Sequence, residues 1–131
     1  MNKWELRGLI ENEIKAIALS EIEKFYPSYL CNITGHSLQI IMDSIGIYVR
    51  EGSVEPYIEY NCEECSRTLI KSLHHIEDDE LIKCKYCGNE NDFSPEDGIV
   101  CLYLNEGYRT YIRSTVNQIV KKKELRKLLL A

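Results

Sequence analysis

No stretch of this chain stays apolar over the ~18 residues that a membrane span needs. The opening Met1-Asn2-Lys3-Trp4-Glu5-Leu6-Arg7 is charged and lacks the apolar core of a secretory signal. Catalytic signatures are missing too. There is no Gly-rich phosphate loop, no His-Glu-x-x-His, no nucleophile elbow and no Ser-His-Asp pattern. Histidine is scarce, with three in the chain. Internal repeats and low-complexity linkers are absent, so residues 1–131 are read as a single domain. These absences together predict a soluble cytoplasmic protein that is not an enzyme.

What the chain does have is cysteine in a pattern. Cys62-Glu63-Glu64-Cys65 and Cys84-Lys85-Tyr86-Cys87 are two Cys-x-x-Cys pairs, with eighteen residues between Cys65 and Cys84. Two thiolates two residues apart can grip one ion from a single tight turn. Two such turns supply four sulfurs in a tetrahedron. The spacing lies inside the range that reads as a zinc site. Two disulfides, or a redox pair opening a helix, are the competing readings. Reduced thiols in a cytoplasmic setting favour metal. Four thiolates fill the coordination sphere, so one structural Zn2+ is expected on Cys62, Cys65, Cys84 and Cys87. His74 and His75 are then surplus as ligands and are read as surface or packed residues. Cys31 and Cys101 sit in apolar settings and are read as small buried hydrophobes.

Cys84-Lys85-Tyr86-Cys87-Gly88 resembles the zinc-ribbon family with rubredoxin-type knuckles. A glycine after the second cysteine accepts the positive φ of such a turn. In the first knuckle Ser66 takes the place of that glycine, and Glu63 stands where proline is common. The resemblance covers residues 56–92. It implies a metal and a local ribbon fold, not a biological role. Arg67, Lys83 and Lys85 are placed to offset the negative charge of the site.

Periodicity supplies the frame around the ribbon. Residues 3–26 are expected to form a long helix, capped by Asn2 with Glu5 three residues on, and ended by Pro27. Its apolar stripe is Leu6, Ile10, Ile14, Ile17, Ala18, Ile22 and Phe25. That stripe packs on its own domain or, alternatively, forms a seam between copies. Residues 28–36 read as a connector, and 37–44 as strand or helical turn. Ile45–Arg50 alternates and is rich in β-branched residues, so it reads as a strand hairpinned with Pro56–Tyr60. Thr68–Leu73 should leave the first knuckle and Glu80–Lys83 return to the second. Glu77-Asp78-Asp79-Glu80 reads as a solvated tip, and Asn89–Gly98 as a polar loop. Ile99–Leu104 reads as a buried strand and Glu106–Leu130 as a second helix. The expected class is α+β: a long N-terminal helix, an antiparallel sheet carrying the ribbon, and a basic C-terminal helix.

Charge is uneven along the chain. Residues 1–30 carry −1, residues 31–108 carry −10 and residues 109–131 carry +6. An acidic centre around the metal repels a phosphate backbone, so the leading expectation is an interaction or adaptor protein within a larger protein assembly. The alternative is nucleic-acid binding through residues 109–127. Tyr108, Arg109, Tyr111 and Arg113 interleave aromatics with arginines there, and Lys121, Lys122, Lys123, Arg126 and Lys127 follow. A third reading has this helix neutralising the chain's own acidic middle.

Overall fold

The computed structural model describes residues 2–73, 80–93 and 97–130. His74, His75 and the Glu77-Asp78-Asp79 tip lie outside the described residues. The class is α+β. Helix α1 spans Lys3–Leu19, α2 Pro27–Thr34, α3 Leu38–Arg50 and α4 Glu106–Leu130. The strands are β1 (Lys24–Phe25), β2 (Val54–Asn61), β3 (Thr68–Ser72), β4 (Glu80–Lys83), β5 (Glu90–Phe93) and β6 (Ile99–Leu104). Among the described residues no helix is long and apolar enough to cross a membrane.

Helix α1 begins as its sequence dictates. The Asn2 side chain accepts from the Glu5 amide at 2.9 Å and donates to the Glu5 carboxylate at 3.0 Å. Its stripe of Leu6, Ile10, Ile14, Ile17 and Ala18 is buried in the chain's own core. The helix stops at Leu19, seven residues short of the expected end. The reason lies on another element. Arg109 of α4 donates through Nη1 to the carbonyls of Ile17 (3.1 Å), Ala18 (3.5 Å) and Ser20 (2.7 Å). Its Nη2 bonds the Ile22 carbonyl. Arg113 adds bonds to Ala18 and Ser20 at 3.0 and 2.8 Å. These guanidinium groups satisfy carbonyls that a helix end leaves orphaned, and they place positive charge at the negative pole of α1. The chain is then free to extend into β1.

Pro27 does not end a helix; it begins one. It stands at the first turn of α2, where its missing N–H costs nothing. Residues 28–36 are therefore mostly helix, closed by Gly35 at φ 74°. The expected strand at Ile45–Arg50 is a second correction, since it is the end of α3. In a strand Ile45 and Ile47 would share a face. Here Ile45 is 0 % exposed and Ile47 57 %. Ile41 and Ile45, four residues apart, carry the buried side.

The hairpin expected between 45–50 and 56–60 is replaced by other pairings. The main sheet is antiparallel with order β1-β6-β2-β3. Strand β2 pairs with β6 from Val54↔Leu104 to Glu59↔Ile99, and with β3 from Tyr57↔Ser72 to Asn61↔Thr68. Strands β4 and β5 form a separate hairpin, so residues 90–93 of the expected loop are strand. The core lies between the helices and one face of the main sheet. Phe25, Val54, Leu102 and Leu104 meet Leu30, Ile41, Ile45 and Ile112 there.

Candidate metal centre

Each Cys-x-x-Cys pair is the tip of a hairpin. Cys62–Cys65 follows β2 and precedes β3, while Cys84–Cys87 joins β4 to β5. As expected, β3 leaves the first cysteine pair and β4 leads into the second, but β3 pairs with β2 and β4 with β5, so two hairpins meet tip to tip.

The two tips share one backbone pattern. The Cys62 amide bonds the Arg67 carbonyl at 2.9 Å, and the Ser66 amide bonds the Cys62 carbonyl at 2.9 Å. In the second tip the Cys84 amide bonds Asn89 at 2.8 Å, and the Gly88 amide bonds Cys84 at 2.9 Å. Gly88 has φ 81° and Ser66 has φ 61°. Serine therefore adopts the left-handed conformation that glycine takes without steric cost.

The four sulfurs converge. All lie within 4.8 Å of one another. Cys62 and Cys87 are 3.6 Å apart, and Cys65 and Cys84 are 3.7 Å apart. A bond of about 2.3 Å from metal to sulfur puts tetrahedral sulfurs roughly 3.8 Å from each other. A disulfide needs about 2.05 Å. All six cysteines are free thiols, so the disulfide reading fails. The redox reading fails as well, because both pairs sit in strand-to-strand turns and neither opens a helix. The arrangement suits a single tetrahedral metal ion.

Electrostatics prepare the sulfurs. The Cys62 thiol is lowered to about 6, chiefly by the Cys65 amide, with Asn91 and the Glu64 amide helping against burial. Cys84 is lowered too, first by the Cys87 amide and then by that of Tyr86. Cys87 is raised to about 12: the Asn89 amide pulls it down, but burial and the three other sulfurs outweigh it. Amide dipoles thus favour the first thiolate of each tip, and the cost of gathering four falls on the last. A cation at the centre removes that cost.

Asn91 is a site residue that the sequence did not announce. It is 2 % exposed, on β5. Its Nδ2 donates to the Cys62 sulfur at 3.5 Å, and its Oδ1 accepts from the Glu63 amide at 3.0 Å. One side chain of the second hairpin thereby orients the first tip. Such partners hold ligands in place at metal sites. Only the meeting of the two hairpins makes Asn91 matter, and no spacing rule marks it.

The three cations expected to offset the site divide. Arg67 lies over the Tyr86 ring at 4.7 Å, which ties the first tip to the second, and Lys85 lies over the same ring at 5.2 Å from within the second tip. Lys83 is exposed beside Gly88. Cys101 is fully buried, which raises its thiol, and Cys31 is half-buried against the core.

The expected basic strip on α4 is shorter than its sequence suggests. Arg109 is 5 % exposed and is spent, with Arg113, on the end of α1. Tyr108 is half-buried against the core. Tyr111, Lys121, Lys122, Lys123, Arg126 and Lys127 are exposed. Every residue from 117 to 130 is exposed, so the second half of α4 stands clear of the chain's own core. Comparison with protein-family models, with curated proteins and with solved structures found no match to this chain.

Proposed function

We propose that Cys62, Cys65, Cys84 and Cys87 hold one structural zinc ion, and that the chain is an interaction module in a larger protein assembly. The observation that carries the first part is the convergence of four sulfurs from two hairpins, all within 4.8 Å of one another. When bound, the ion supplies a crosslink between those hairpins. Four thiolates leave no open coordination position, which supports a structural and not a catalytic role. Iron is the competing occupant of a four-sulfur site. Elemental analysis of the unstripped protein tests this reading, with one zinc per chain expected. Absence of metal, or iron in its place, would sink it.

The interaction role is supported by the second half of α4. Leu125, Leu128 and Leu129 lie at helical spacing on one side, and all are exposed. An isolated helical stretch of this length is marginal in water, and covering its leucines would stabilise it. The five cations between Lys121 and Lys127 favour a second reading, nucleic-acid binding. Two variants separate the readings. If the partner is protein, Leu125, Leu128 and Leu129 changed to Gln should abolish co-purification of defined chains. If it is nucleic acid, changing the five cations to Gln should abolish salt-dependent binding to generic duplex DNA or RNA.

A further inference from the structure

A cleft of about 520 Å³ runs between the first half of α1 and the second half of α3. Leu6 and Ile10 line it from α1, Ile47 and Tyr48 from α3. Three cations and two carboxylates share its walls: Lys3, Arg7 and Arg50 against Glu11 and Asp43. Glu11 is offset by a cation, while Asp43 has a neutral partner and keeps its charge, so the cations still outnumber the carboxylates. Glu11 pairs with Lys15 at 3.1 Å, and Asp43 accepts from Gln39 at 3.1 Å. Lys3 lies over the Trp4 ring at 5.0 Å. The Arg7 and Arg50 side chains make no hydrogen bond or ion pair with any described residue. The charge left for a ligand is therefore positive, on a chain of net −5.

The shape narrows the ligand. Both walls are helix faces, and Lys3, Leu6, Arg7 and Ile10 repeat at steps of three and four. The stretch from Lys3 to Glu11 is roughly 12 Å long, just over two turns. A third helix laid along it would set its ridges between those of α1 and α3. A small ligand is enclosed on most of its surface, whereas this cleft leaves Ile47 largely exposed. We propose that the cleft is a docking groove for an amphipathic helix of a partner protein, apolar on the face set into it and acidic along its edges. The chain's own α4 in a second copy is the wrong occupant. Residues 117–130 carry five cations and one carboxylate, so the groove repels them. The groove shares no residue with the metal cluster or with the projecting half of α4, so its test stands apart from theirs.

Trp4 is the one tryptophan and sits beside Lys3, so its fluorescence reports on the groove. The probe is a capped peptide of roughly fourteen residues with leucine on one face and glutamate on the other, long enough for marginal helicity. It should bind saturably, change Trp4 emission and shift backbone amides of α1 and α3. The same peptide with lysine for glutamate should not bind. Arg7→Gln with Arg50→Gln should weaken binding about five- to tenfold and flatten its salt dependence. Both arginines are exposed, and an unchanged melting curve will certify the fold. Failure of the glutamate peptide to bind overturns the proposal. So does equal binding of the lysine peptide, or indifference to the double variant. Binding of a straight-chain alkyl carboxylate where the glutamate peptide fails would make the cleft a small-ligand pocket instead.

Discussion

The two ends of this molecule are held together by different means. At the helical end thirteen buried residues, from Leu6 to Ile112, form one apolar core. At the cysteine end the buried cluster among the described residues is Cys62, Leu69 and Cys84, and two of those three belong to the group that could hold a metal ion. The first end lives on the hydrophobic effect, which is non-directional and tolerant of substitution. The second has little buried apolar surface among the described residues, and under the function proposed above a directional ion would substitute for a core.

Removal of the proposed ion should affect the two ends unequally. Binding of structural zinc contributes on the order of 10–16 kcal/mol to small metal-dependent folds. A strong chelator, or Cys84→Ser, should therefore collapse amide dispersion for residues of both hairpin tips while the α1 and α3 amides keep their shifts. Simultaneous loss of the helical signals would mean the two ends are one cooperative unit. The converse variant is Ile14→Ala, at a fully buried position. It should cost about 2–5 kcal/mol in denaturant unfolding and leave metal content unchanged.

Smaller effects sharpen the picture at the metal end. Asn91→Ala removes the donor to Cys62 and the acceptor for Glu63. Metal affinity should fall about 10–100-fold in a chelator competition, with one ion still bound at saturation. Ser66→Gly should act in the opposite direction. It relieves a left-handed serine worth about 1–2 kcal/mol, partly offset by glycine's greater freedom in the unfolded chain. A net gain of about 0.5–1 kcal/mol in the metal-bound protein is expected.

The smallest effect is electrostatic and lies on the sheet. Lys24 and Glu59 pair at 2.7 Å, and the Tyr26 hydroxyl donates to the same carboxylate at 2.9 Å. The Lys24 bond holds Glu59 below its ordinary 4.5, and Glu59 raises Lys24 above its ordinary 10.5. Between those two values the pair is fully charged, and its contribution is complete. It is lost as pH falls through the depressed Glu59 value, and again at pH above the raised Lys24 value. At neutral pH Lys24→Gln should cost up to about 1 kcal/mol in urea unfolding. That difference should vanish near pH 2.

The four-cysteine cluster was legible in the sequence because its rule is local. A two-residue gap makes a turn, and a turn aims two sulfurs at one point. Helix α4 was legible because its periodicity is undisturbed, and strand β6 because it is a short unbroken apolar run. The strand expected at Ile45–Arg50 misled because an alternation of β-branched residues suits either state when the run is short. Ser37 as cap and the buried Ile41–Ile45 pair decided for helix. The basic strip misled for another reason. A row at steps of four places Arg109 and Arg113 on one side of α4, but it cannot say that the end of α1 lies on that side.

The chain's order of residues was enough for the convergence of four cysteines, the α+β class, the capped start of α1 and the span of α4. Each follows from neighbours within about one or two turns of the same segment. Only the tertiary structure decided where α1 stops, which strands pair, that Asn91 supports a sulfur, and which cations stay free. Those outcomes depend on groups more than eighty residues apart, such as Arg109 and Ile22, or on separate hairpins brought together by one cluster of sulfurs. Unpaired carbonyls and unshielded thiolates are costly wherever they lie, and only the folded chain reveals which distant group relieves them.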